Sequence, residues 1–156
     1  MNESYLHQAV ELARQNVTEA RGRPFGAVLV KDGEIIATGV NEILATGDPT
    51  AHAELLAIRR AASRLGTPRL TGCTVYASGL PCPMCLSAIY LAGVEAVYFA
   101  FPNEEGEAYG LSSAAVYEQL ALPLEKQELP IRSLRAHVRG EHPYELWRRL
   151  QQTGKS

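Results

Sequence analysis

Apolar positions recur along residues 4–20 at Leu6, Ala9, Val10, Ala13, Val17 and Ala20, spacings of three and four that predict an amphipathic helix. Ser4 is its expected N-cap, and Glu11, Arg14 and Glu19 fall on the solvent face. The period then changes. FGAVLVK (25–31) and EIIATGV (34–40) predict two strands joined at Asp32-Gly33, a pair that tolerates the positive φ angles of a tight primed turn. After a loop over 41–50, residues 51–64 predict a second helix with Leu55, Leu56, Ile58 and Ala62 inward. Arg59, Arg60 and Arg64 lie toward its cation-favouring end, and Gly66 stops it.

CTVYAS (73–78) predicts a strand, PMCLSAIYLA (83–92) a helix opened by a proline, and VEAVYFAF (94–101) a strand with the nearly unbroken apolar run of a buried one. Strand, helix and strand in that order predict a parallel crossover. Beyond an acidic loop come a helix near 112–121, a strand over 131–138 and a last helix over 143–152, docked by Tyr144, Leu146 and Trp147. The tail TGKS is expected to fray. The sequence of elements predicts one layered α/β domain over residues 1–156, with five strands in one mixed sheet.

Composition narrows the class. A chain of 156 residues, 46% hydrophobic and 21% charged, can bury a core without disulfide staples. Its longest apolar runs fall far short of the roughly 20 residues that cross a bilayer. The start MNESYLHQ lacks the basic and apolar regions of a signal peptide, so a soluble cytoplasmic protein with no membrane partner is expected. The net charge of −2 is unevenly spread: eight charges of each sign over 1–94, six acids and no base over 95–125, seven bases against three acids over 126–156. With a pI near 6.1 and no long basic stripe, a nucleic acid partner held through phosphates is disfavoured. Three cysteines, an odd number, favour reduced thiols or metal ligands over a disulfide framework.

The densest chemistry is PCPMC at 81–85, where Cys82 would open a helix and Cys85 lies one turn later on the same face. A helix N-terminus favours the thiolate, and Pro83 fits a first turn whose N–H has no partner anyway. Taken alone the pair reads as half a zinc site, as a redox couple or as two small buried residues. Thr50-Ala51-His52-Ala53-Glu54 stands at another predicted helix start upstream. One imidazole and two thiolates leave a fourth tetrahedral position for water, the pattern of catalytic rather than structural zinc. Glu54, two residues from His52, points about 200° round a helix from it and is poorly placed to share the ion. Zinc with two thiolates is formally neutral and acidifies water less than three imidazoles would, so a base is wanted. Glu54 can take the proton and later deliver it to a ring nitrogen or a departing amine. Singly, His52 reads as a capping or core side chain and Glu54 as a helix-dipole partner. Together, H-x-E with P-C-x-x-C is a zinc deaminase signature.

PFGAVLVKDGEIIATGVNE (24–42), DPTAHAELLAIRRA (48–61) and PCPMCLSAIYLA (81–92) follow the order and spacing of the cytidine and deoxycytidylate deaminase superfamily. Over nearly its whole length the chain most resembles the bacterial guanine deaminase branch. The resemblance implies a three-layer sandwich with a five-stranded mixed sheet between helices. It also implies one Zn2+ per chain on His52, Cys82 and Cys85, proton shuttling by Glu54, and a homodimer. By the same match Asn41 holds the substrate base through its amide, where the plain reading is a turn residue. Phe25 and Gly26 line the pocket floor or simply fill the core, and the Ala53 N–H touches a substrate carbonyl. Cys73 reads as an inert buried thiol.

The implied reaction is hydrolytic deamination of a small amino-heterocycle by water, guanine to xanthine and ammonia. Cytosine, a nucleoside or an amino-triazine are alternative substrates, and tRNA adenosine deamination is a further one. Outside that class stand a zinc-stabilised binding protein without turnover and a C-x-x-C oxidoreductase. The chain departs from guanine deaminase-like sequences in three places. Leu111-Ser112-Ser113 stands where an acid is common, Leu80 replaces a frequent Glu before P-C-x-x-C, and the end QQTGKS lacks an aromatic that closes the pocket. Glu104, Glu105 and Glu107 are candidates to replace the missing acid, or form a solvated acidic loop.

Overall fold

Helix α1 (Glu3–Thr18) is capped by Asn2, whose Oδ1 accepts from the Ser4 backbone N–H at 2.9 Å and from its hydroxyl at 2.8 Å. The expected cap at Ser4 is thus displaced by two residues, because the extended backbone of Asn2 lets its side chain fold back over the first turn. The computed structural model describes residues 2–134 and 139–154. Two compact units make up the chain, residues 1–121 and 122–156.

In the first unit, β1 (Gly26–Lys31) and β2 (Glu34–Val40) form the expected antiparallel hairpin, with Asp32 and Gly33 at φ of 50° and 75°. β3 (Cys73–Gly79) pairs antiparallel with β1, and β4 (Ala96–Phe101) pairs parallel with β3 through the crossover helix α4 (Pro83–Ala92). The order is β2-β1-β3-β4, a mixed sheet of four strands among the described residues where five were expected. Of the expected fifth strand over 131–138, residues 131–134 have no regular structure and 135–138 lie outside the described residues.

Strand alternation builds a core on each face. Ala27, Leu29 and Val75 pack with α3 (Ala53–Leu65) and α4, while Val28, Val30 and Tyr76 pack under α1. Helices therefore cover both faces of the sheet. Two expectations are corrected. The deepest residues of α3 are Ala53, Glu54, Ala57 and Ala61 rather than its leucines. The reason is contact distance: a Cβ on Gly39 of β2 would stand 2.2 Å from the Ala53 carbonyl oxygen, so only small residues fit between helix and strand. β4 is an edge strand among those described, with Phe99 41% and Phe101 48% exposed, not the buried strand its apolar run predicts.

Short helices α2 (Ile43–Thr46) and α5 (Asn103–Glu107) occupy stretches expected as loop, and α6 (Ala114–Leu120) matches its prediction. In the second unit, α7 (Pro143–Gln152) forms as expected, with the His142 Nδ1 accepting from the Tyr144 N–H at 3.1 Å and an Arg149–Glu141 ion pair at 2.8 Å. Tyr144 and Trp147, expected to be docked, are exposed.

Candidate metal centre and active site

Both candidate ligand motifs sit where a helix begins. His52 is the N-cap of α3 and Cys82 that of α4, each with extended backbone, and Pro83 fills the first position of α4. The turn before His52 is built by Asp48, whose carboxylate accepts from the Thr50 N–H and hydroxyl, both at 2.8 Å. These bonds, the backbone one foremost, hold the Asp48 carboxyl below its ordinary value. Before Cys82, the Tyr117 hydroxyl of α6 donates to the Pro81 carbonyl.

The His52 Nδ1 lies 3.4 Å from the Cys82 Sγ and 3.5 Å from the Cys85 Sγ, and the three ligand atoms all fall within 4.8 Å of one another. Tetrahedral zinc with bonds of about 2.3 Å to sulfur and about 2.0 Å to nitrogen places N and S about 3.5 Å apart, so the donor set fits that ion. Cys85 is fully buried, and Cys82 and His52 are partly so. With no metal, a hydrogen bond from Cys85, supported by His52, pushes the Cys82 thiol down to about 4. Cys85 moves upward, through that same bond and burial. His52 is held up by its bond to Cys82, against burial and the positive charge of Arg23. A divalent cation would displace the protons that this cluster holds.

Glu54, in the first turn of α3, is 6% exposed, and burial pushes its carboxyl upward. It lines a cavity of about 330 Å³ together with His52, Cys82, Asn41, Phe25 and Leu80, among others. Asn41 is 2% exposed and acts as the turn residue as well, its Oδ1 accepting from the Ile43 N–H at 3.2 Å. Phe25 forms a wall shared with a larger neighbouring cavity of about 650 Å³.

Gly26 is not on the cavity lining. It lies beneath α1, where a Cβ would meet the Ala9 carbonyl oxygen at 2.4 Å. Ala53 turns its methyl into the core, and its N–H is one of the first-turn amides that a helix leaves without an internal acceptor. Ser112 and Ser113 do line the cavity. Glu104 and Glu107 line neither cavity, and Glu105 lines the larger one. Cys73 is fully buried at the start of β3.

Sequence reasoning missed Arg23, which lines the cavity, and Asn16, whose buried amide donates to the carbonyls of Arg23 at 2.8 Å and of Asn41 at 2.9 Å. The signal for Arg23 was a cation directly before the Pro24-Phe25 entry to β1. Asn16, inside an amphipathic helix, carried none.

The model of the cytidine and deoxycytidylate deaminase zinc-binding region matches residues 1–101. The chain is 42% identical to the guanine deaminase of Bacillus subtilis (strain 168) over 149 residues, 94% of either chain. The X-ray structure of guanine deaminase from Bacillus subtilis superposes with a TM-score of 0.87, covering 96% of this chain and 95% of that one. A tRNA-specific adenosine deaminase of Bacillus subtilis (strain 168) is 42% identical over 110 residues, 70% of this chain and 67% of the relative. A guanine deaminase structure from Nitrosomonas europaea is 31% identical with a TM-score of 0.68, covering 72% of this chain and 65% of that one.

Proposed function

The chain belongs to the cytidine and deoxycytidylate deaminase family, and on that footing we propose that it is a zinc-dependent aminohydrolase converting guanine and water to xanthine and ammonia. The observation that carries this reading is the meeting of His52, Cys82 and Cys85 beside the buried Glu54 in one cavity. Near full-length likeness to a guanine deaminase, against 70% coverage for the tRNA enzyme, favours guanine over tRNA adenosine.

His52, Cys82 and Cys85 would hold the zinc, which would supply a Lewis acid able to make water a competent nucleophile near neutral pH. Glu54 accepts the water proton on a carboxylate oxygen as the water oxygen bonds to C2 of guanine, and passes it to N3. It then takes the proton of the added hydroxyl and delivers it to the 2-amino nitrogen, so that the C2–N bond breaks, ammonia leaves and the water oxygen remains as the 2-oxo group. Burial favours the protonated carboxyl and brings acid and base forms closer in energy near neutrality, as one group acting in both roles requires. Asn41 holds the base through its amide, the Ala53 N–H meets a substrate carbonyl, and Phe25 walls the ring. Ser112 and Ser113 offer neutral hydroxyls where an acid was expected.

The whole chain serves as one deaminase domain in this reading, as likeness over 94% of it supports. It acts as a homodimer, a state that the exposure of Tyr90 (78%) and Leu91 (81%) on α4 supports. Its three free thiols suit the cytoplasm, and no helix among the described residues is long and apolar enough to cross a membrane. Ammonia release by zinc-loaded protein from guanine, adenine, cytosine, their nucleosides and amino-triazines tests the substrate. Guanine should lead the series. Turnover of another amine with none of guanine would overturn the substrate while leaving the reaction class.

A further inference from the structure

The charge inventory of the site cavity is unusual for what surrounds Glu54. Phe25, Leu80 and Leu111 are apolar, Asn41, Ser112 and Ser113 are neutral, and among the described residues the one arginine or lysine on the lining is Arg23. Its side chain is exposed and makes no hydrogen bond or ion pair among the described residues. Its backbone, in contrast, is fixed. The Arg23 carbonyl accepts from the buried Asn16 amide at 2.8 Å and from the Phe25 N–H at 2.8 Å, and Pro24 follows. The same Asn16 nitrogen holds the Asn41 carbonyl, so the two polar residues on this side of the cavity hang from one anchor. A Cβ on Gly22 would stand 2.5 Å from that Asn41 oxygen, which makes glycine the residue that lets the Arg23 loop approach.

A guanidinium carries five donors and no acceptor, and its planar fork matches two adjacent acceptors on a heterocycle edge. With the 2-amino carbon of a purine at Glu54, the edge from position 6 to N7 presents two adjacent acceptors, and the 6-oxo oxygen, with two lone pairs, can take the Ala53 N–H and one guanidinium donor together. We propose that Arg23 is a specificity-determining residue that reads this edge and selects heterocycles carrying an oxo group beside a ring nitrogen over those carrying an amine there. The inference rests on the deaminase reading of the cavity and deepens it: the substrate class becomes amino-oxo heterocycles, recognised by a cation and not by an acid. Ser112 and Ser113 then need no charge, since recognition has moved to acceptors on the base.

The test compares guanine with 2,6-diaminopurine, which differ at position 6 by an oxo group against an amine. Affinities for both are measured by calorimetry on zinc-loaded wild type, Arg23→Gln and Arg23→Lys, with ammonia release recorded in parallel. Wild type should prefer guanine, and Arg23→Gln should lower the guanine-to-diaminopurine affinity ratio at least about tenfold, the scale of losing a paired contact to a base edge. Arg23→Lys should fall between, because an ammonium lacks the fork. A ratio unchanged within about twofold in Arg23→Gln overturns the inference, whether or not the protein turns guanine over. An altered ratio without ammonia from either base supports the role of Arg23 and sinks the proposed reaction instead. Failure of wild type to bind either base overturns both. Zinc content and Tm of each variant show that an exposed side chain was changed without loss of the fold.

Discussion

Asn16 is 2% exposed, and its Nδ2 spans two carbonyls that lie in different loops of the site. Its Oδ1 is buried without a partner among the described residues, so there the side chain is held by its donors alone. Replacing it by leucine removes the donor to the Asn41 carbonyl and leaves the Arg23 carbonyl with the Phe25 N–H alone. A loss of about 1–3 kcal/mol is expected from an unsatisfied buried group, read as a lower midpoint in denaturant. KM for guanine should rise more than kcat falls, with zinc content unchanged, because the anchor positions the base and touches no reacting atom. A stability loss with unaltered KM would reduce Asn16 to a packing residue. Glu54 makes the opposite prediction. Glu54→Gln keeps shape and zinc but removes the proton carrier, and kcat should fall by about a hundredfold or more.

At the scale of elements, two glycines separate folding from the site. A Cβ at Gly39 presses on the Ala53 carbonyl of α3 at 2.2 Å, and one at Gly26 presses on the Ala9 carbonyl of α1 at 2.4 Å. Each substitution by alanine should cost about 1–3 kcal/mol as overpacking. Only Gly39→Ala moves the helix that carries His52 and Glu54, so it alone should weaken zinc affinity in a chelator competition. Equal zinc affinity in both variants would contradict the rigid coupling of α3 to β2. The hairpin, the parallel crossover and the helix starts at His52 and Cys82 were legible because each is written in local chemistry: Asp32-Gly33, Pro83, and a change of period. The place of β4 was not, since an apolar run is the same whether its neighbour is a strand or solvent; strand order decides, and that is a property of the whole sheet. Likewise the alanine ridge of α3 answers to a glycine in another element.

For the molecule as a whole, the site joins the starts of two helices, α3 and α4. His52 and Glu54 come from the start of α3, Cys82 and Cys85 from the start of α4, and the sulfurs and imidazole are within 3.5 Å across them. The three candidate ligands were readable from residue type and spacing, and the structure brings them together; Glu54, read as the acid-base group, lies buried on the same cavity. Arg23 and Asn16 were not, because their importance comes from where folding brings their backbone, not from a motif. An ion that binds only the folded chain stabilises it by mass action, by about 4 kcal/mol at a thousandfold excess over Kd, so chelation should lower Tm and re-addition of zinc should restore it. A Tm indifferent to chelation, with zinc shown to have left, would contradict zinc held by these three ligands.

The most direct measurement follows guanine in ¹⁸O-labelled water with zinc-loaded wild type and Glu54→Gln at equal zinc content. Wild type should yield one ammonia per xanthine, with one labelled oxygen at C2, and Glu54→Gln should do so at least about a hundredfold more slowly. Labelled xanthine formed at the same rate by both would contradict proton transfer by Glu54, and the absence of xanthine from zinc-replete wild type would contradict the guanine deaminase reading itself.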